Sequence, residues 1–142
     1  MTKSSYIEIG IAIVIDDNGL VLIDQRLEKG DFGGLWEFPG GKRKKGETFQ
    51  ETIIRELEEE LSIIVNVHDL IVDMEHDYAD KKFRFVVHIC KLFTGCPKAI
   101  QSQQFKWVEP SNLKFYSFPA ASNKIINSFL NYLKMNQKKK IV

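Results

Sequence analysis

The sequence has little cysteine, and its histidines form no pattern. Cys90 and Cys96 form no Cys-x-x-Cys pair and lie beside no histidine cluster, which excludes a zinc-type thiolate site and leaves two reduced, structural thiols. His68, His76 and His88 are scattered, and each is expected to be structural or solvated. An excess of charge of one sign is also missing. Twenty Lys and Arg face nineteen Asp and Glu, a net charge of +1, so no overall field draws polyanions and no stable nucleic-acid complex is expected. Any anion must be bound locally. No apolar run approaches the ~18 residues that span a bilayer, and Met1 to Tyr6 lack the apolar centre of a signal peptide, so a cytoplasmic protein is expected. Repeats and long linkers are absent too. The expectation is one domain over residues 1–142, with 135–142 as a frayed basic tail.

What is present is periodicity. Ile7, Ile9, Ile11, Ile13 and Ile15 alternate with Glu8, Gly10, Ala12 and Val14, which predicts a strand with one firmly buried face. Asn18-Gly19 predicts a tight turn, with Leu20 to Arg26 returning as a second strand. From Thr48 to Leu61 the pattern turns helical, with Ile54, Leu57 and Leu61 as an apolar stripe that Ile53 widens. Ile63 to Asp73, Lys82 to Phe93 and Phe105 to Val108 predict further strands, and Glu109 to Asn112 a turn. Ile125, Ile126, Phe129, Leu130 and Leu133 predict a last amphipathic helix. This order implies an α+β domain in which helices cover a mixed sheet. Fold class alone names no function.

The chemistry is concentrated between Gly40 and Ile63, where six acids fall from Glu47 to Glu60. On a helix, Glu56, Glu59 and Glu60 project within an arc of roughly 100°. Like charges so placed repel, and Arg55 alone intervenes. Clustered hard oxygen donors suit Mg²⁺ or Mn²⁺ shared with substrate phosphates. The alternative is an exposed acidic face with Glu51 and Arg55 paired at i, i+4. A glycine loop, Gly40-Gly41-Lys42-Arg43-Lys44-Lys45-Gly46, precedes the helix and favours the metal reading.

Together these residues resemble the Nudix box, Gly-x₅-Glu-x₇-Arg-Glu-apolar-x-Glu-Glu-x-Gly-apolar. Gly41, Glu47, Arg55, Glu56, Leu57, Glu59, Glu60 and Ile63 match, and Ser62 stands where the family has glycine. Leu35-Trp36-Glu37-Phe38-Pro39-Gly40-Gly41-Lys42 is similar to the segment entering the box in MutT-type members, which remove oxidised purine triphosphates. The resemblance implies a mixed sheet sandwiched between helices and a Mg²⁺-dependent cleavage of a nucleotide's pyrophosphate linkage, with Mn²⁺ as a substitute.

Carried over, the resemblance makes Glu56, Glu59, Glu60 and the Gly41 carbonyl the metal ligands. Glu56 is the general base, and Arg55 and Glu47 orient the carboxylates. A loop glutamate of MutT-like enzymes, six residues before a tryptophan, is replaced here by Gln101 before Trp107, and an amide cannot act as a base. Arg26, Lys42 and Lys81 are candidates for the substrate, with Arg43-Lys44-Lys45 adding basic charge, and Phe38 for the wall of a nucleobase pocket. Ser122 holds the place of the asparagine that reads the oxidised purine, and Asn123 follows, so both are base-reading candidates.

The expected function is hydrolysis of nucleoside triphosphates to monophosphate and pyrophosphate, sanitising 8-oxo-dGTP or a related oxidised purine. Alternatives are a housekeeping hydrolase of CTP, dNTPs, dinucleoside polyphosphates or nucleotide sugars, and a non-catalytic binding module. The expected partner is the nucleotide, and the expected state a monomer or weak homodimer.

Overall fold

The computed structural model describes residues 6–141, with side chains described as far as residue 137. Strands β1 (Ile7–Ile15), β2 (Val21–Gln25), β3 (Trp36–Glu37) and β4 (Gly40–Lys42) lead into helix α1 (Phe49–Leu61). Strands β5 (Ile64–Tyr78), β6 (Lys81–Thr94) and β7 (Gln104–Val108) follow, then a 3₁₀ turn (Pro110–Phe115) where a plain turn was predicted, and helix α2 (Ser122–Ile141). α2 continues past residue 135, where the sequence suggested a frayed tail; Val142 and the side chains from Lys138 onward lie outside the described residues.

β1 runs parallel to β6, whereas β5 pairs antiparallel with β6 and β7 antiparallel with β2. The sheet is therefore mixed, as expected. The β1–β2 hairpin pairs only at Ile15 and Val21 before the strands part. Into the gap comes the segment 36–42: β3 pairs with β2, β4 with β1, and the Ala12 amide donates to the Pro39 carbonyl at 2.9 Å between them.

Both faces of this sheet are covered, which corrects the one-faced burial expected of β1. Ile11 and Ile13 pack with Ile125 and Phe129 of α2, while Ala12 and Val14 pack with Ile53, Leu57 and Leu61 of α1. β2 divides likewise, with Val21 and Ile23 on the α2 side and Leu22 on the α1 side. Within α1 the buried stripe is Ile53, Leu57 and Leu61, at i, i+4 and i+8, while Ile54 is exposed. A β-carbon on Gly10 would sit 3.3 Å from both Ile53 and Thr52, so glycine lets α1 press onto the middle of β1.

α1 is tightly bounded. Thr48 caps its start by accepting from the Glu51 amide at 3.1 Å, and the Glu51 carboxylate accepts from the Thr48 amide at 2.8 Å. Glu51 is thus occupied in the cap. Ser62 ends the helix in the left-handed conformation, φ 58° and ψ 37°, and its amide donates to the Glu58 carbonyl at 3.0 Å.

Candidate active site

The box loop and α1 are held together by one guanidinium. Arg55 donates to both oxygens of Glu47, at 2.6 and 3.0 Å, to the Lys42 carbonyl at 2.9 Å, and at 3.3 Å to each of Glu56 and Glu59. Glu47 also accepts from the Lys44 amide at 2.8 Å and the Thr52 hydroxyl at 2.9 Å. These bonds, with Arg55 first, hold the Glu47 carboxyl down at about 2. Arg55 pairs with Glu47, and at i, i+4 with Glu59, so the expected Glu51–Arg55 pair does not form.

The three helix carboxylates take different surroundings. Glu59 is the outermost, its side chain 46% exposed. Glu56 lies against the backbone of Gly41, where a β-carbon would collide with its carboxylate. That is a physical reason for glycine at this position. Burial pushes the Glu56 carboxyl up, against the pull of Arg55. Glu60 points inward, and one of its oxygens is buried with no hydrogen-bonding partner among the described residues. Burial, then the charges of Asp24, Glu37 and Glu56, push its carboxyl up to about 10.

Asp24 and Glu37 were not foreseen as site residues. One ligand oxygen from each of Asp24, Glu37 and Glu60 lies within 4.8 Å of the others. Burial raises both the Asp24 and the Glu37 carboxyl; the charge of Glu37 adds to the rise at Asp24, while Arg26 opposes it at Glu37. The available signal was an acid ending the apolar run Val21-Leu22-Ile23, at the spacing that puts it on the Leu22 face. A donor set made only of carboxylate and carbonyl oxygens, part of it buried and unpartnered, fits a hard divalent cation.

Beside this array lies a cavity of about 370 Å³, lined on that side by Glu37, Gly40, Gly41 and Lys42. Its walls are Ile7, Ile9 and Ile11 of β1, Phe83 and Phe85 of β6, and Tyr78, Phe38 and Ile125. Phe38 is 5% exposed and stacks on Phe118 with ring centres 5.2 Å apart, so it serves the core and the cavity wall together. Tyr78 accepts from the Ala121 amide at 2.7 Å, tying the 118–121 turn to the β5–β6 hairpin.

Arg26, Phe38, Lys42, Lys81 and Ser122 all line this cavity. Arg26 donates to Glu37 and to the Asp31 carbonyl, each at 3.0 Å, and Lys81 lies 4.0 Å from the Asp31 carboxylate. The structure does not bring Asn123 there. It lines a separate groove with Leu113, Ile126 and Leu130, because one residue along α2 turns a side chain by about 100°. Arg43 is committed elsewhere, bonded to Glu8 at 2.6 Å and to the Glu47 carbonyl at 2.9 Å. Gln101 is an exposed loop residue.

Residues 10–128 match the model of the NUDIX domain. The chain belongs to the Nudix family. The 8-oxo-dGTP diphosphatase of Haemophilus influenzae is 34% identical over 125 residues, covering 88% of this Nudix chain and 92% of that one. The CTP pyrophosphohydrolase of Escherichia coli is 28% identical over 120 residues, covering 84% and 89%. A MutT protein of Methanosarcina mazei shares the fold at a TM-score of 0.80 and 23% identity, over 96% of this chain and 99% of that one. The expected α+β Nudix architecture is borne out.

Proposed function

We propose that this Nudix chain is a Mg²⁺-dependent pyrophosphohydrolase of nucleoside triphosphates, with oxidised purine nucleotides such as 8-oxo-dGTP as its preferred substrates. The observation that carries the reading is a juxtaposition. An apolar cavity sized for a nucleobase opens on the Gly40–Lys42 strand, and the Glu56 carboxylate lies against that strand's backbone at Gly41.

Glu56, Glu59, Glu60 and the Gly41 carbonyl would hold Mg²⁺, with Mn²⁺ as a substitute. The bound cation would neutralise the phosphate chain and favour attack by water. Glu56 takes the proton of the attacking water, and Arg55, anchored on Glu47, fixes the angle at which Glu56 is presented. Arg26, Lys42 and Lys81 supply positive charge at the cavity rim, and Ser122 offers a hydroxyl to the base. The products are the nucleoside monophosphate and pyrophosphate. Identity to the Haemophilus 8-oxo-dGTP diphosphatase supports the oxidised purine. The position of Asn123 outside the cavity favours a second reading, hydrolysis of CTP or unmodified dNTPs. The intact box carboxylates speak against a non-catalytic binding module.

Pyrophosphate release from 8-oxo-dGTP, dGTP and CTP, with Mg²⁺ and with excess chelator, tests the reading. Cation-dependent turnover with the highest kcat/KM on 8-oxo-dGTP is expected. Equal kcat/KM on 8-oxo-dGTP and dGTP overturns the substrate, and full activity in chelator overturns the mechanism. Among the described residues no helix is long and apolar enough to cross a membrane. We further propose a cytoplasmic protein, monomeric or weakly dimeric, that forms no stable complex with nucleic acid.

A further inference from the structure

We propose that Asp24 and Glu37 form, with Glu60, a divalent-cation site at the inner end of the carboxylate array, in which Asp24 is a ligand lying outside the box motif. Asp24 follows Leu22 by two on β2 and therefore faces α1, directly after the apolar run Val21-Leu22-Ile23. It is 2% exposed, and its Oδ1 atom has no hydrogen-bonding partner among the described residues.

Its cross-strand partner on β3 is Glu37, so two acids stand directly opposite each other on neighbouring strands. Like charges in that relation repel. α1 then lowers the Glu60 carboxylate onto the same spot, bringing one oxygen of each acid within 4.8 Å of the other two. The basic side chain bonded to this group is Arg26, through Glu37, and it is 41% exposed and shared with the Asp31 carbonyl. One partly solvated guanidinium against three carboxylates leaves two of them uncompensated. Burying such charge without a partner is costly, and a hard dication with oxygen ligands is the chemistry that offsets it. Arg26, bonded to one oxygen of Glu37, would keep that ligating carboxylate oriented.

Glu60 is shared with the hydrolytic reading, whereas the burial of Asp24 and its crowding with Glu37 depend on no reaction. The test titrates the full chain with Mn²⁺, following free Mn²⁺ by electron paramagnetic resonance, in wild type, Asp24→Asn and Glu37→Gln. Both variants are expected to lose one bound Mn²⁺ or to bind it at least tenfold more weakly. In cation-free buffer they should melt at or above the wild-type midpoint, because the repulsion is relieved, and Mn²⁺ should raise their midpoints less than it raises that of wild type. If Asp24→Asn does not fold, Glu37→Gln carries the same comparison. Wild type and variants binding equal Mn²⁺ with equal affinity overturns the inference in favour of carboxylates sharing a proton, and leaves the hydrolase reading standing. A wild-type chain that binds no Mn²⁺ overturns both.

Discussion

Ser62 occupies a position that suits glycine. Left-handed backbone costs an L-residue about 1–2 kcal/mol, while glycine's extra freedom in the unfolded chain returns about 0.4–1 kcal/mol. Ser62→Gly should therefore stabilise the fold by roughly 0.5–1 kcal/mol, read as a higher denaturation midpoint with turnover unchanged. Gly41 is the opposite case, because its backbone is ordinary and the space beside it is filled by Glu56. Gly41→Ala should displace that carboxylate and lower kcat by roughly 10-fold or more while the fold survives. Wild-type kcat in that variant would mean that Glu56 need not lie against this strand. Glu47 gives a pH signature. Its carboxyl is held below its ordinary value, so its contribution to stability is present above about 4.5 and is lost as pH falls toward about 2. Melting curves of wild type and Glu47→Gln should converge across that window and stay separated above pH 5; parallel curves would show that the Arg55 pair adds nothing. At this scale the box residues were legible because their spacing is fixed. Asp24 was not, since a single acid on an apolar strand acquires meaning only when Glu37 and Glu60 arrive beside it.

α1 distributes its acids unequally, although the sequence shows them as one patch. Glu56 packs on Gly41, Glu60 turns inward and Glu59 faces water. Glu56→Gln should lower kcat by about 10²–10⁴, and Glu59→Gln by a smaller factor, since Glu59 is the carboxylate most open to rearrangement. Equal losses in single-turnover assays would show that the two act as one unit. The helix was legible from its acids and its period, but its buried face was not, because Ile53 and Ile54 are adjacent and both apolar. Only contact with β1 at Gly10 selects Ile53. The parting of β1 from β2 had no local signal either. Asn18-Gly19 specifies the turn, and what fills the gap beyond it comes from residues 36–42.

Across the molecule, one sheet carries two cores, and neither helix has a separate domain to itself. Phe129→Ala, on the face away from the carboxylates, should cost about 3–5 kcal/mol. Loss of structure should still occur in a single transition, with secondary structure and Mg²⁺-dependent activity disappearing together on heating. Activity persisting beyond the loss of α2 would mean that the α1 half folds alone. The alternation of β1 allowed a buried strand to be read from sequence, but two-sided burial is a tertiary fact, created when α1 and α2 approach from opposite sides.

The two halves of the site have different origins along the chain. The carboxylates and Arg55 come from residues 24–60, whereas much of the cavity wall comes from β1, from Tyr78 to Phe85 and from Pro119 to Ile125. Substitutions at Phe85, Ser122 or Ile125 can reshape what the cavity admits while every acid keeps its place. Inheritance can thus alter the guest and preserve the hydrolytic centre, since selection on one half of the site does not have to pass through the other.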